Sequence, residues 1–229
     1  MPSLDSRIFR AYDIRGKALT QCSEEACRWI AFAFGHELKR RYSIAHPHIA
    51  VGRDMRTHSP LLERAVIEGL AAAGCRILVI SQTPSPVNYF TICTRHLDGG
   101  IQVTASHNPP EDNGVKLQMR NAEAFAGEDI QNLRRAIEEM QDGTAFAPEG
   151  GSGNTGQVFN AVTPYIESLT KLFGASCEGL RVVTDYGNGV TGPVYGEVLR
   201  RAGCALTELY AEPDGTFPNH PADPAKHDT

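Results

Sequence analysis

Apolar positions recur along this chain with two alternating periods, and this alternation predicts an α/β fold. Short runs of apolar and β-branched residues, the length of buried strands, occupy residues 49–52, 76–81, 100–103 and 115–119. Between the first three runs, apolar residues recur every three or four positions, as on one face of a helix. Strands that alternate with helices predict a mostly parallel sheet covered on both faces, which is a three-layer αβα domain.

Local signals place the elements near the beginning of the chain. Residues 8–14 are predicted to form a short first strand, and Ser23 is predicted to open a helical segment that runs to about Tyr42. Ser59 is predicted as the N-cap of the next helix because Pro60, which follows it, suits the first helical position.

The first unit is expected to close with an antiparallel strand and a helix. Pro109, Pro110, Asn113 and Gly114 are predicted to turn the chain back, with a tight return at Asn113-Gly114, so that residues 115–119 run antiparallel and the sheet is mixed. Residues 127–141 are predicted to form a helix because their apolar positions share one face.

A second domain is predicted after a linker. Residues 142–156 are rich in Gly, Pro, Ser and Asn, so we expect one domain at residues 1–150 and another at residues 157–229. The second domain is predicted to be another αβα unit, incomplete at its end. Its expected elements are a helix (163–173), a strand (180–185), a turn (186–193), a helix to Gly203 and a strand (205–210).

Composition excludes several classes of protein. The chain has 229 residues, 41% of them hydrophobic, and a net charge of −5 without a basic stripe, so nucleic-acid binding is not expected. No apolar run approaches the ~20 residues of a membrane span. The first ten residues lack the apolar core of a secretory signal, so a cytoplasmic location is expected. The six cysteines, which lack close ligand pairs, are expected to be free thiols lying mostly in apolar surroundings.

The stretch that carries the most chemistry reads T-A-S-H-N-P-P-E-D-N-G-V-K and begins at Thr104. It follows a predicted buried strand and turns back into another, which brings Lys116 past Ser106 and places His107 beside it. A phosphoserine carries ~−1.5 to −2 charges and needs donors and cations around it. Lys116 offers a compact charge for such a group. The stretch therefore predicts a phosphoryl-transfer site at Ser106.

This stretch resembles the active-serine loop of the α-D-phosphohexomutases, the phosphomannomutase/phosphoglucomutase family. Two further motifs resemble the same family: F-R-A-Y-D-I-R-G at residues 9–16 and V-G-R-D-M-R at residues 51–56. The likeness runs from near the first residue to the last and covers about the first half of a family chain. It implies the family's four-domain arrangement, of which residues 1–150 would be domain I and residues 157–229 the beginning of domain II.

The resemblance implies a reaction and a set of site residues. The reaction is the interconversion of hexose 6-phosphate and hexose 1-phosphate, of mannose or glucose, through a phosphoserine at Ser106 and a hexose 1,6-bisphosphate. The implied catalytic residues are Ser106, His107, Lys116 and Arg15, and the implied substrate-binding residues are Tyr12, Arg15, Asn108 and Lys116. Lys116 and His107 both remain candidates for moving the hydroxyl proton.

The resemblance also implies a magnesium ion. The phosphate on Ser106 would supply one ligand, and the family's aspartate-rich D-G-D-G-D-R loop, absent from this chain, would supply the others. The chain alone is therefore expected to bind the metal weakly and to turn over sugar phosphates poorly. An incomplete second domain is expected to expose apolar surface and to favour self-association.

Three alternatives stay open. The chain could be a non-catalytic module that binds phosphate or a partner, or a phosphoglucosamine mutase, whose first motif usually reads G-T-D-G-I-R-G. Gly187, Gly189 and Gly192 also spell G-x-G-x-x-G between a predicted strand and helix, which is the fingerprint of dinucleotide binding. We favour a tight turn for these glycines, because the family carries a similar structural turn here.

Overall fold

The computed structural model describes residues 4–143 and 156–225, and its main feature is a six-stranded mixed sheet. The strands are β1 (Ile14–Lys17), β2 (His48–Arg53), β3 (Arg76–Gln82), β4 (Gly99–Val103), β5 (Asp112–Met119) and β6 (Gln157–Val158). They lie in the order β1-β5-β4-β2-β3-β6. Strands β2, β3, β4 and β6 are parallel, whereas β5 is antiparallel to both β4 and β1. The predicted mixed, mostly parallel sheet is confirmed.

Helices cover both faces of this sheet. They are α1 (Glu24–Tyr42), α2 (Ser59–Ala72), α3 (Ser85–Thr94) and α4 (Glu128–Gly143). The apolar faces of α1, α2 and α4 form one core with one face of the sheet, and α3 packs on the other face. Consecutive residues of β2 divide between the two cores, since Ile49 and Val51 join the first and Ala50 joins the second. The three-layer prediction is therefore confirmed.

The two predicted helix starts differ in outcome. Ser23 caps α1 as the sequence indicates, because its Oγ accepts a hydrogen bond from the Ala26 N–H at 3.1 Å. Ser59 is not an N-cap; it is the first residue of α2, which begins after His58 without a side-chain cap. The Ser59 hydroxyl donates instead to the buried carboxylate of Asp54, and this tertiary contact explains why the prediction was wrong.

The prediction of a first strand at residues 8–14 was wrong. Ser6–Ile8 form a 3-10 helix, which Asp5 caps by accepting from the Arg7 N–H, and β1 begins only at Ile14. The Arg10 N–H donates to the Asp13 carbonyl at 3.0 Å, which closes a turn between the two elements. Ile8 and Ile14 are both buried in the first core. Their apolar character reflects this burial rather than one continuous strand.

Asn113 and Gly114 do not form the predicted turn, because both lie inside β5. The chain reverses earlier, where the Asn108 and Asp112 N–H groups donate to the carbonyls of Ala105 and Pro109 at 3.1 Å each. A glycine is required at 114 because β1 approaches closely: an added Cβ would lie 2.9 Å from the Cα of Arg15. The local turn signal of Asn-Gly was overridden by contacts with the neighbouring strand and helix.

The second unit contains a parallel pair of strands and two helices. Its elements are α5 (Val162–Phe173), β7 (Arg181–Asp185), α6 (Gly192–Arg201) and β8 (Ala205–Leu209). Apolar residues of α5 and α6 pack against Ile80 and Val87 of the first unit. The face of β7 that carries Val183 is exposed, with this side chain at 69% of its maximal accessibility. Gln157 and Val158, at the predicted start of this unit, add the sixth strand to the first sheet. The predicted linker, residues 142–156, lies mostly outside the described residues.

The cysteines and helices agree with part of the sequence analysis. All six cysteines, each within the described residues, are free thiols, and Cys22, Cys27 and Cys75 are buried. Cys93 is exposed, so the expectation of apolar surroundings was wrong for that residue.

Within the ranges that the structure describes, no helix combines the length and apolar character needed to span a membrane.

Candidate active site

The loop that follows β4 presents Ser106 to solvent in an uncommon backbone conformation. Its φ is +58°, in the left-handed region that few non-glycine residues adopt. The Ser106 N–H donates to the Thr104 Oγ1 at 3.0 Å, which holds this conformation. The Ser106 Oγ lies 3.3 Å from Nδ1 of His107, within hydrogen-bonding distance. The hydroxyl is therefore exposed beyond the carboxyl end of β4, with an imidazole beside it.

A buried arginine organises this loop from beneath. The guanidinium of Arg56 is fully buried and donates to main-chain carbonyls of the loop. Its Nη2 donates to the carbonyls of Ser106 (3.3 Å) and Asn108 (2.6 Å), and its Nη1 to those of Pro109 (2.5 Å) and Asp112 (3.1 Å). One planar group thus binds four carbonyls within seven residues of chain.

The charge of Arg56 is balanced by the buried carboxylate of Asp54. This carboxylate accepts from the Arg56 Nε at 3.2 Å and from the Arg56 main-chain N–H at 3.0 Å. Burial lowers the pKa of Arg56 below its ordinary value, and Asp54 acts in the opposite direction. The guanidinium remains charged, since arginine titrates far above neutrality. Because a buried ion is costly unless it is paired and hydrogen-bonded, Arg56 and Asp54 require one another.

A second network fixes the far end of the loop to α2. The Asn113 side-chain amide, which is fully buried, donates to Nδ1 of His58 at 2.7 Å and to the Ser59 Oγ at 2.8 Å. Nε2 of His58 lies 3.1 Å from the Pro110 carbonyl. A neutral imidazole protonated on Nε2 satisfies both contacts, because it accepts from the amide and donates to the carbonyl. Burial lowers the pKa of His58 from 6.5, more than its bond to Pro110 raises it.

Two cations and one carboxylate lie where β1 meets β5. Arg15 forms an ion pair with Asp13, and its Nη1 donates to the Ala105 carbonyl at 3.1 Å and to the Asn108 Oδ1 at 3.0 Å. Nζ of Lys116 lies 4.0 Å from the same Asp13 carboxylate. Arg15 therefore contacts the loop that carries Ser106, whereas Lys116 lies beside the carboxylate that Arg15 also binds.

The pairing register decides the side of the sheet on which Lys116 lies. Lys116 opposes Gln102 across β4 and β5, so the two side chains share a face. Thr104, two residues after Gln102, continues that face, and its hydroxyl holds the Ser106 N–H. Lys116 thus shares a face with Thr104.

The remaining predicted residue, Tyr12, extends into solvent. Its side chain is 79% exposed, in the turn that precedes β1. Among the described residues, no hydrogen bond fixes the Tyr12 hydroxyl. A substrate-binding role for Tyr12 therefore stays a prediction.

A cavity of about 660 Å³ lies between the two units and opens onto Ser106. The first unit contributes His107 and the turn around Pro84, whereas the second contributes the turn that follows β7 and His220. This volume lies within the range of small-molecule sites. The exposed serine hydroxyl therefore faces a space large enough for a phosphorylated sugar.

The described residues do not by themselves form a magnesium site. Within residues 4–143 and 156–225, no three His, Cys, Asp or Glu side chains are grouped as metal ligands. Magnesium usually takes carboxylate and phosphate oxygens together with water. A phosphate on Ser106 would supply one such oxygen, and the residues described here do not complete the set.

Sequence analysis missed several residues of this site. Arg56 and Asp54 occur in the V-G-R-D-M-R motif, yet they were given no role, and Asp13 precedes the arginine of the first motif. The presence of Asp54 and Arg56 just past a strand end was the available signal, because such positions border ligand sites in α/β proteins.

Replacement of Arg56 by lysine should destabilise the protein. A lysine offers three donors where the arginine makes five side-chain bonds, so at least two charge-assisted bonds are lost. We expect the free energy of unfolding to fall by about 3 kcal/mol or more in urea titrations. Arg201→Lys is the matched control, because Arg201 is exposed and, among the described residues, pairs only with Glu197; it should change stability by less than about 0.5 kcal/mol. Equal effects of the two substitutions would contradict the role of Arg56.

His58 should titrate below 6.5 in the folded chain, since burial disfavours its charged form. The unfolded state then binds more protons than the folded state, so stability is complete above pH 6.5 and declines as the pH falls toward the folded pKa. The NMR titration of the His58 ring gives the pKa directly. In His58→Gln the loss of stability on acidification should be smaller, although His48, whose pKa burial also lowers, leaves part of it. A His58 pKa at or above 6.5 would disprove this account.

Comparison with known proteins agrees with these motifs and this geometry. Residues 6–143 match the family description "Phosphoglucomutase/phosphomannomutase, alpha/beta/alpha domain I", and residues 163–229 match the corresponding domain II. The chain is 37% identical over 225 residues to a phosphomannomutase/phosphoglucomutase of Pseudomonas aeruginosa, which covers 98% of this chain and 46% of that protein. It is 37% identical over 177 residues to a probable phosphoglucosamine mutase of Methanopyrus kandleri, which covers 77% of this chain and 38% of that protein.

A solved structure shares the fold as well as the sequence. It is a phosphoglucomutase/phosphomannomutase family protein of Burkholderia thailandensis, with a TM-score of 0.86 and 34% identity, over 97% of this chain and 48% of that one. The chain spans about half the length of the relatives it matches. Both αβα domain descriptions, the serine loop and this structural similarity show that the chain belongs to the phosphoglucomutase/phosphomannomutase family.

Proposed function

We propose that this chain is the N-terminal portion of a phosphohexomutase, which interconverts the 6-phosphate and 1-phosphate of mannose or glucose. The observation that carries the proposal is the exposed Ser106 hydroxyl, held on a rigid loop that faces a cavity of about 660 Å³. Membership of the family supports the same reaction. The activity belongs to the whole protein, of which this chain matches about half.

The proposed chemistry is phosphoryl transfer to and from Ser106. When the serine accepts a phosphoryl group from a hexose 1,6-bisphosphate, a bond forms between its Oγ and phosphorus. The bond between phosphorus and the sugar oxygen breaks, and the serine proton leaves. The sugar oxygen leaves with a proton, as a hydroxyl of the hexose monophosphate. In the other transfer of the cycle, the phosphoserine gives its phosphoryl group to the hydroxyl at the other position of the sugar, and the serine regains a proton. Because most of this catalysis is positioning and charge stabilisation, the fixed loop is the main contribution of this chain.

Two groups could receive the serine proton. His107 has its Nδ1 3.3 Å from the Ser106 Oγ, in direct contact. Lys116 lies on the face of the sheet that leads to Thr104, and Asp13 is its partner. We propose that Lys116 and Arg15 also supply positive charge for the phosphoryl group, and that Asn108 and Tyr12 contact the sugar phosphate.

The proposed reaction uses magnesium as its cofactor and hexose 1,6-bisphosphate as its intermediate. The metal would neutralise charge on the transferred phosphoryl group, with the phosphate of Ser106 as one ligand. The described residues do not complete the site of this metal.

The free thiols support a reducing compartment, so we propose a cytoplasmic location. Self-association through the exposed face of β7 is proposed on the exposure of Val183 and Leu180.

A related activity, phosphoglucosamine mutase, is the second candidate because one relative carries that name. We favour the hexose phosphates, because the first motif here reads F-R-A-Y-D-I-R-G. A non-catalytic role as a phosphate- or partner-binding module is the remaining alternative. The modification state of Ser106 distinguishes it from the enzyme.

Incubation of the chain with glucose 1,6-bisphosphate and magnesium should add one phosphoryl group to Ser106. The reaction is expected to be slow, because the metal site is incomplete. Intact mass should rise by about 80 Da, and fragmentation should place the group on Ser106. Ser106→Ala should remove the modification, whereas Ser85→Ala, which removes another hydroxyl from the same cavity, should retain it. Equal modification of the Ser106→Ala variant would refute the proposal.

Substitutions at Lys116 distinguish the effect of its positive charge from a role in accepting the serine proton. Lys116→Met should slow phosphorylation of Ser106 by about 100-fold or more, since a cation and a proton acceptor are both lost. Lys116→Arg keeps a cation that does not titrate near neutrality. If Lys116→Arg restores the rate of Ser106 phosphorylation, His107 receives the serine proton. If the rate stays low in Lys116→Arg, Lys116 receives it. Lys171→Met, at an exposed position on α5, is the control; a normal rate in Lys116→Met would contradict any role for this residue.

A further inference from the structure

The second unit reaches across the cavity and covers Arg56. The segment that does so, residues 214–220, is called the strap below. Its Gly215 lies against the main chain of the first unit: an added Cβ would be 2.6 Å from the Met55 carbonyl oxygen and 2.7 Å from the Arg56 Cα. The ring centroid of Phe217 lies 5.1 Å from the Arg56 Cζ, the distance of a cation–π contact. The strap therefore covers one face of the Arg56 guanidinium, whose N–H groups bind the serine loop.

The strap is fixed to its own unit by several contacts. The Asp214 N–H donates to the Asn188 carbonyl at 2.9 Å, and the Asn219 side-chain amide donates to the Asn188 Oδ1 at 2.8 Å. Nε2 of His220 lies 3.1 Å from the Asp185 carboxylate. These contacts tie the strap to the turn that follows β7. A displacement of that turn would consequently displace the strap.

The glycines of the G-x-G-x-x-G motif permit this close packing. Gly187 has a φ of +51°, and a Cβ there would lie 3.0 Å from the His220 ring. A Cβ on Gly192 would collide with the Ala211 carbonyl oxygen. The motif thus provides a surface against which residues 211–220 pack.

Phe217 is held in a conformation that places its ring over Arg56. Its φ is +51°, a region that aromatic residues rarely adopt. The Phe217 N–H donates to the Asp214 carbonyl at 3.1 Å, and the Asp214 carboxylate accepts from the Thr216 N–H at 2.8 Å. An unfavourable backbone conformation that local bonds maintain is commonly found where a side chain has a functional position.

We propose that Phe217 is a positioning residue for the serine loop and that the strap couples the two domains. The ring holds the guanidinium of Arg56 in the plane in which it binds the carbonyls of Ser106 and Asn108. The second domain thereby sets the position of the nucleophile of the first. The effect on catalysis rests on the proposed function of Ser106, whereas the effect on the loop does not.

Amide hydrogen exchange of the 229-residue chain tests the coupling. The reporters are the N–H groups of Asn108 and Asp112, which close the turns of the serine loop. In Phe217→Leu they should exchange about fivefold faster, the factor that corresponds to loss of one cation–π contact. Phe217→Trp, which keeps an aromatic face, should restore slow exchange. Protected amides of α1 should stay unchanged in both variants, which shows that the chain is folded.

Phe159→Leu is the matched control, because the Phe159 ring lies 4.8 Å from the Arg95 Cζ, in a similar contact away from the serine loop. Unchanged exchange in Phe217→Leu, or an equal acceleration in Phe159→Leu, would overturn the proposal.

The rate of Ser106 phosphorylation is the second readout. It should fall about fivefold in Phe217→Leu and recover in Phe217→Trp, in parallel with the exchange rates. A lower rate without faster exchange would also overturn the proposal. If wild-type Ser106 accepts no phosphoryl group, the proposed function fails, while the exchange experiment still decides the role of the strap.

Discussion

The loop that carries Ser106 depends on one buried guanidinium. Arg56 lies beneath the loop with all of its charge removed from water, and it is compensated by Asp54 and by four main-chain carbonyls. Since an unpaired buried ion is strongly unfavourable, the loop can change shape only if these bonds break together. The cost of burying Arg56 is therefore also the source of the rigidity around Ser106. A site for phosphoryl transfer requires that rigidity, because its catalysis is mostly positioning.

Within the serine loop, Arg56 binds main-chain carbonyls rather than side chains. A substitution at Asn108 or Pro109 would leave those acceptors in place, whereas a change in the path of the chain would remove them. The interaction consequently specifies a backbone shape, including the left-handed conformation of Ser106. The network of Asn113 with His58 and Ser59 fixes the beginning of β5 through side chains instead. Both ends of the loop are thus tied to the segment that joins β2 to α2.

The sequence predicted the layers of the fold because periodicity reflects burial, and both faces of this sheet are buried. It failed where tertiary contacts decide local structure. Asn113-Gly114 has the chemistry of a turn, but a buried amide and a close neighbouring strand place it inside β5. Ser106 and Lys116 could be recognised from a motif. The strand end that precedes Arg56 indicated a position near a site, but its full burial could not be predicted, since arginines are mostly exposed.

The charges around β1 bear on the proposed phosphorylation of Ser106. Asp13 is buried and faces both Arg15 and Lys116, so these three groups carry one net positive charge. In the unmodified protein the carboxylate keeps the two cations in place, which limits their mutual repulsion. A phosphoryl group on Ser106 would bring about two negative charges to a loop that Arg15 already contacts through Ala105 and Asn108. Arg15 is thus already held beside the loop by its bonds to Ala105, Asn108 and Asp13.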